Sequence, residues 1–145
     1  MKNAVASALH RDLIEIEHAP DVTAEDLLDQ LTSFQPHVIH FSGHVTANVL
    51  VFDDGSVKGG IGREIPIATI MRAVSAPDQK LSLVVLNACE SATHLETFLG
   101  GVPMAIGMAA AVGDADAITF ATRFYRSLCD GQSVESALAV ARVDM

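Results

Sequence analysis

Tryptophan is absent, tyrosine occurs once, and basic side chains are scarce, 9 Lys and Arg against 18 Asp and Glu for a formal charge of -9. No basic stripe interleaved with aromatics is therefore available to hold a phosphate backbone, which argues against nucleic acid as a direct partner. Only two cysteines occur, Cys89 and Cys129, in unlike contexts and with no CxxC or metal-ligand spacing. That excludes a disulfide framework and a structural metal, and it points to two free thiols in a reducing, cytoplasmic compartment. Long hydrophobic runs are missing too: apolar residues make up 50% of the chain but come in short stretches, so no membrane span is expected. The first residues, Met1 to His10, soon meet Arg11, Asp12 and Glu15, a poor match to a secretory leader.

What is present is enough apolar material for one hydrophobic core in 145 residues, read as a single domain over 1–145. Lys2 to Arg11 is helix-compatible, and Leu13 to Glu17 alternates as a half-buried strand does. Thr23 is placed to cap a helix whose stripe is Leu27, Leu28 and Leu31, ended by Pro36. His37 to Phe41 reads as a strand running into a Ser42-Gly43-His44 turn, and Asn48 to Phe52 as a second, closed by Asp53-Asp54-Gly55. A loop over 58–62 leads to a helix from about Ile65 to Val74, with Ile67, Ile70, Met71 and Val74 on one face. Leu81 to Leu86 is nearly all apolar, the pattern of a central parallel strand covered on both faces. A short helix over 93–99, a short strand over 103–108, a long helix capped by Asp114 and ending near Cys129-Asp130-Gly131, and a last helix capped by Ser133 complete the chain. In that last helix Val134, Leu138 and Val140 are expected to pack, and its alanines to allow close approach. Strands alternating with helices predict a three-layer α/β domain with a mostly parallel sheet, whose function gathers where loops leave the carboxyl ends of the strands.

Two residues stand at such ends. A cysteine attacks a carbonyl only as thiolate, and needs an imidazole or another positive field beside it. His44 follows one strand and Cys89 a later one, separated by 89 − 44 = 45 residues, near the spacing of about 50 known for caspases. Taken alone, Cys89 also reads as a small buried hydrophobe and His44 as a loop histidine. Glu90 is expected to face outward, since its charge would oppose the thiolate. His40 reads as a hydrogen-bonded core residue that shares a face with His44 if the strand persists, and Cys129 as packing. Gly59-Gly60-Ile61-Gly62 lacks the strand, helix and Gly-Lys-Ser/Thr ending of a phosphate loop, so nucleotide binding is not expected.

The runs His37-Val38-Ile39-His40-Phe41-Ser42-Gly43-His44 and Leu83-Val84-Val85-Leu86-Asn87-Ala88-Cys89-Glu90-Ser91, then Ile106-Gly107-Met108, Val112-Gly113-Asp114 and Phe124-Tyr125-Arg126-Ser127-Leu128, resemble the CHAT domain family from about residue 12 onward. These caspase-like and separase-like bacterial peptidases are often fused to tetratricopeptide repeats. The resemblance implies a caspase-like three-layer sandwich and a cysteine endopeptidase acting on protein or peptide substrates without a cofactor. Cys89 would be the nucleophile, His44 the general base and acid, and the backbone N–H groups of Cys89 and Val45 the oxyanion donors. The family usually has glycine where this chain has Val45, and a β-branched residue keeps the donor but disfavours positive φ. Asp114 matches the acidic residue that lines a pocket for a basic side chain, implying cleavage after Arg or Lys; it is equally a helix cap, and Asp116 a first-turn carboxylate facing the helix dipole.

The resemblance also implies a strand ahead of the first helix, and nothing strand-like precedes Lys2 to Arg11. The expected sheet is one strand short, with an open edge for a second copy or a strand-donating partner. The alternative function is a caspase-like scaffold, catalytically weak or inactive, that serves as a protein-interaction module.

Overall fold

The computed structural model describes residues 5–46, 48–55, 62–76, 78, 81–88 and 91–144. Two compact units make up the chain, Met1–His18 with Val112–Met145, and Ala19–Ala111.

The larger unit begins with α1 (Ala24–Ser33) and continues through β1 (Val38–Ser42), β2 (Val45–Thr46), β3 (Val49–Phe52), β4 (Arg63–Pro66), α2 (Ile67–Val74) and β5 (Leu83–Asn87). A 3-10 turn (Ser91–His94), α3 (Leu95–Leu99) and β6 (Met104–Gly107) follow. β1, β5 and β6 form a parallel sheet with β5 in the middle, and β2, β3 and β4 an antiparallel one. The central position explains the unbroken apolar run of β5, where Leu83, Val84, Val85 and Leu86 are all buried. One face of the parallel sheet, with Ile39, Phe41, Val84, Leu86 and Ala105, shares a core with α1, α2 and the inward residues Leu50, Phe52 and Ile65 of the antiparallel sheet. Val38, His40, Ser42, Leu83, Val85 and Ile106 belong to the opposite face by alternation and register.

Local chemistry sets the ends of these elements. Thr23 Oγ1 accepts a hydrogen bond from the Asp26 N–H at 3.1 Å, and the Asp26 carboxylate accepts one from the Thr23 N–H at 3.0 Å, a capping box that starts α1. The Thr23 hydroxyl, then its backbone N–H, hold the Asp26 carboxyl below the usual range. Gly55, at φ 74, donates its N–H to Asp53 Oδ1 at 2.7 Å and makes the expected turn. In α2 the predicted face of Ile67, Ile70, Met71 and Val74 is buried as a set. The helix starts two residues later than expected because Arg63–Pro66 pairs with β3, Ile65 lying opposite Leu50. In α1 only Leu31 is fully buried; Leu27 packs at the core edge, while Leu28 lies 45% exposed on the outer side.

The smaller unit holds α4 (Asp114–Cys129) and α5 (Val134–Ala141) packed on each other. α4 ends in a Schellman arrangement: the Gly131 N–H, at φ 87, bonds to the Leu128 carbonyl and the Gln132 N–H to that of Ser127. Ser133 caps α5 as expected, accepting from the Ser136 N–H at 3.2 Å. Ala137 and Ala141 are fully buried and Val134 and Leu138 half-buried, while Val140, expected to pack, and Ala139 are exposed.

The described part of the predicted first helix, residues 5–10, is a run of turns leading to a 3-10 turn over Arg11–Leu13. Its backbone groups are shared between short turn bonds, such as that from the Ala8 N–H to the Val5 carbonyl at 3.1 Å, and long-range ones: Leu9 N–H donates to Asp130 Oδ1 at 2.7 Å and His10 N–H to the Cys129 carbonyl at 2.9 Å. Leu13 to Glu17 is not a strand. Its alternation survives as Ile14 and Ile16 packing on Val5, Ala8 and Cys129.

The two leucines of α1 differ enough to test the packing. Leu31→Ala is expected to lower unfolding free energy by about 2–4 kcal/mol and Leu28→Ala by about 0.5 kcal/mol or less, measured by urea denaturation.

Candidate functional site

The parallel register of β1 and β5 runs from Val38 opposite Leu83 to Ser42 opposite Asn87. Both strands therefore stop at the same level, with their carboxyl ends on neighbouring tracks about 4.8 Å apart. His44 is the second residue after Ser42, and Cys89 the second after Asn87. Cys89 and Glu90 lie outside the described residues, so the expected outward course of Glu90 does too, as does the loop expected over 58–61.

His44 is exposed, in a segment held from both sides. Ahead of it, a Cβ on Gly43 would stand 3.0 Å from Cε1 and Cζ of Phe41, so a glycine lets the chain pass this close over the ring. Phe41 is itself packed at 5.7 Å, tilted, against Phe52 of β3. Behind it, the His44 carbonyl accepts from the Val51 N–H at 3.2 Å. β1 ends at Ser42, so His44 does not share a strand face with His40.

Val45 opens β2 opposite Leu50. Because His44 bonds to Val51, and the Ile67 N–H bonds to the Asn48 carbonyl at 2.8 Å, the antiparallel alternation turns the backbone groups of Leu50 toward β4 and those of Val51 toward β2. The Val45–Leu50 pair is then a non-hydrogen-bonded one, and the Val45 N–H points away from β3. Valine is suited to this extended position; among the described residues of the hairpin, the positive φ falls on Asn48, at 67°.

On the β5 side Ala88 is buried and Ser91 is fully buried. The Ser91 hydroxyl donates to the Leu86 carbonyl at 2.9 Å and accepts from the Met108 N–H at 2.9 Å. Its own N–H reaches the Ala88 carbonyl at 3.2 Å, and the Ala92 N–H reaches the Met108 carbonyl at 2.9 Å. A Cβ on Gly107 would fall 2.8 Å from the Ala92 nitrogen and 2.9 Å from the Ser91 carbonyl carbon, so only glycine fits beneath this segment. The sequence pattern assigns Ser91 no role, marking it only as a small polar residue among apolar ones at a fixed distance from a strand end.

A sequence model of the CHAT domain matches residues 2–145. The chain belongs to the CHAT domain family. A protein of Gillisia limnaea named as a probable protease is 27% identical over 134 residues, which cover 90% of this chain and 23% of that protein. This CHAT chain thus spans about a quarter of the length of the curated relative it matches.

The remaining candidates of this CHAT chain lie on other elements. Asp114 is exposed at the first position of α4, in the smaller unit; the cap position belongs to Gly113 and no side chain caps the helix, so the expected Asp114 cap is not formed. Asp116 is in the first turn, as expected for a carboxylate facing the helix dipole. Cys129 is buried, and burial, then the Asp130 charge, push its thiol up against a smaller opposing pull from Arg11. Among the described residues no cluster of three or more His, Cys, Asp or Glu is placed to hold a metal, and no helix is long and apolar enough to cross a membrane.

His40, on β1 opposite Val85, is a half-buried imidazole that desolvation holds down at about 4. Between about pH 6.5 and pH 4 the unfolded chain takes up a proton here that the folded chain does not. Stability should then be flat with respect to this group above pH 6.5 and fall as pH drops toward 4. His40→Gln is expected to show a shallower fall across that window in urea denaturation than the wild type. Superimposable slopes would mean that His40 titrates alike in both states.

Proposed function

We propose that this CHAT domain is a caspase-like cysteine endopeptidase with a His44–Cys89 dyad. The observation that carries the proposal is the register of β1 and β5, which brings the chain exits leading to His44 and Cys89 out at one level on adjacent strands. The likeness to a named probable protease supports the same chemistry, and the parallel β1–β5–β6 sheet with helices is consistent with a caspase-like sandwich.

In this mechanism the Cys89 thiolate attacks the scissile carbonyl carbon, and the resulting oxyanion takes hydrogen bonds from the Cys89 and Val45 N–H groups. The outward direction of the Val45 N–H, away from β3, favours that role. Collapse of the adduct breaks the C–N bond as His44 gives its proton to the leaving amine. Water, deprotonated by His44, then releases the acyl group and restores the thiol. The net charge of -9 favours a cationic substrate, and Asp114 is the proposed partner for Arg or Lys before the cleaved bond.

The test is labelling with a peptidyl electrophile carrying Arg at its specificity position. Cys89 should be modified in the wild type, at least about tenfold slower in His44→Ala, and not in Cys89→Ala. Labelling at full rate in His44→Ala would mean an exposed thiol without a base, and favour the non-catalytic scaffold. Asp114→Asn should slow the Arg probe and leave a neutral-residue probe unchanged.

The partner proposal rests on β1. It is an edge strand among the described residues. The Leu83 N–H donates to the His37 carbonyl at 3.2 Å, so the odd residues of β1 face β5 and the backbone groups of Val38 and Ser42 point the other way. We infer that a strand adds here, from a second copy or a partner. Val38→Pro removes an outward N–H without touching the β5 ladder, and should reduce self-association in sedimentation. A wild type that stays monomeric up to high concentration, and binds no extended peptide, would count against the added strand.

A further inference from the structure

Ser91 occupies a place that the sheet itself should fill. The bond from Leu83 N–H to the His37 carbonyl turns the odd residues of β5 toward β1 and the even ones toward β6. With Leu86 in register with Gly107, an uninterrupted parallel ladder would next join the Leu86 carbonyl to the Met108 N–H. Both groups are bonded to the Ser91 hydroxyl instead, at 2.9 Å each. A side chain from beyond the strand thus stands between β5 and β6 at their carboxyl ends, as two hydrogen bonds in series where the sheet would have one.

The wedge is also tied to Ala88, the last residue described ahead of the cysteine. The Ser91 N–H returns to the Ala88 carbonyl at 3.2 Å, so both ends of the span whose intervening residues are Cys89 and Glu90 are fixed. The Ala92 N–H takes the Met108 carbonyl, and Gly107 keeps room for the backbone of 91–92. A fully buried serine satisfied on both sides, in a water-excluded place, has little freedom to move.

We propose that Ser91 is the positioning residue for Cys89, its hydroxyl setting the opening between β5 and β6 and with it the approach of the thiol to His44. The proposal rests on the dyad reading and adds a residue that never touches substrate. A serine that merely stabilised the fold would, when lost, change the melting point and leave the chemistry of the remaining folded protein alone. One that positions the thiol must change its reactivity in protein that is still folded.

The experiment follows the iodoacetamide alkylation rate of Cys89 against pH in the full chain, with peptide mapping to separate it from Cys129 and circular dichroism to establish folding. In the wild type the rate at pH 6.5 should exceed that of His44→Ala by about tenfold, reflecting an apparent thiol pKa about one unit lower. Ser91→Ala should lose most of that advantage, and Ser91→Thr, which keeps the hydroxyl, should recover it in part. Val74→Ala removes core volume elsewhere in the same unit and should keep the wild-type profile despite its lower melting point. If Ser91→Ala does not fold, Gly107→Ala keeps the hydroxyl but drives a Cβ against the Ser91–Ala92 backbone, and should show the same loss. A folded Ser91→Ala or Gly107→Ala with the wild-type profile, or a Val74→Ala with the same loss, overturns the positioning role alone. A wild type that titrates like His44→Ala overturns the dyad and the positioning role with it.

Discussion

The in-register pairing of β1 with β5 is the constraint on which the rest of the larger unit depends. Parallel neighbours cannot be joined by a tight turn, so the chain must leave β1 at its carboxyl end and travel back to the start of β5. Here residues 43–82 make that journey, and they carry the antiparallel sheet and α2 on the way. Those elements contribute Leu50, Phe52, Ile65, Ile67, Ile70, Met71 and Val74 to the core that covers the sheet face of Ile39, Phe41, Val84 and Leu86. The connection is therefore also the cover, and a slip of one residue between β1 and β5 would turn the apolar residues of β1 off that core.

The two chain exits are secured by different means. On the β1 side the anchor is backbone: the His44 carbonyl joins the β3 ladder, and β2 begins at the next residue. On the β5 side it is a side chain, the Ser91 hydroxyl between β5 and β6. A ladder tolerates many residue types because it uses main-chain groups. A buried hydroxyl with an acceptor and a donor to satisfy tolerates few, since its loss leaves a carbonyl and an N–H unpaired at a cost of about 1–3 kcal/mol each. The same contrast accounts for Val45: its amide direction comes from ladder alternation, and an extended backbone has no need of glycine.

Legibility followed the range of the interactions. The Thr23 and Ser133 caps, the Asp53–Gly55 turn, the buried face of α2 and the apolar run of β5 are settled by neighbours within a few residues, and the sequence pattern shows them. The segment over 5–17 is not of that kind. Beside its local turn bonds, the Leu9 and His10 N–H groups go to Asp130 and Cys129, more than a hundred residues away, and its alternation serves packing on Val5, Ala8 and Cys129. β4 was hidden by Pro66, a helix-start residue that also closes a strand. Leu28 shows that leucine spacing marks a helix without saying how wide its buried stripe is. Around the candidate site the strand ends were legible from apolar runs meeting turn residues. The wedge was not, because nothing local says that a serine four residues after Asn87 will interrupt a ladder bond.

The two histidines of the β1 region show how the fold separates residues of one type. His40 lies within the strand on the face of Leu83 and Val85, and burial keeps its imidazole neutral down to about pH 4. A base that weak takes a thiol proton only at a steep cost, since the ordinary cysteine pKa is about 8.5. His44 is two residues beyond the strand, exposed, and level with the exit of β5. The strand packs one imidazole within the sheet and leaves the next exposed beyond its end. What separates them is the end of β1 at Ser42: a strand two residues longer would put His44 in the ladder, on the same face as His40.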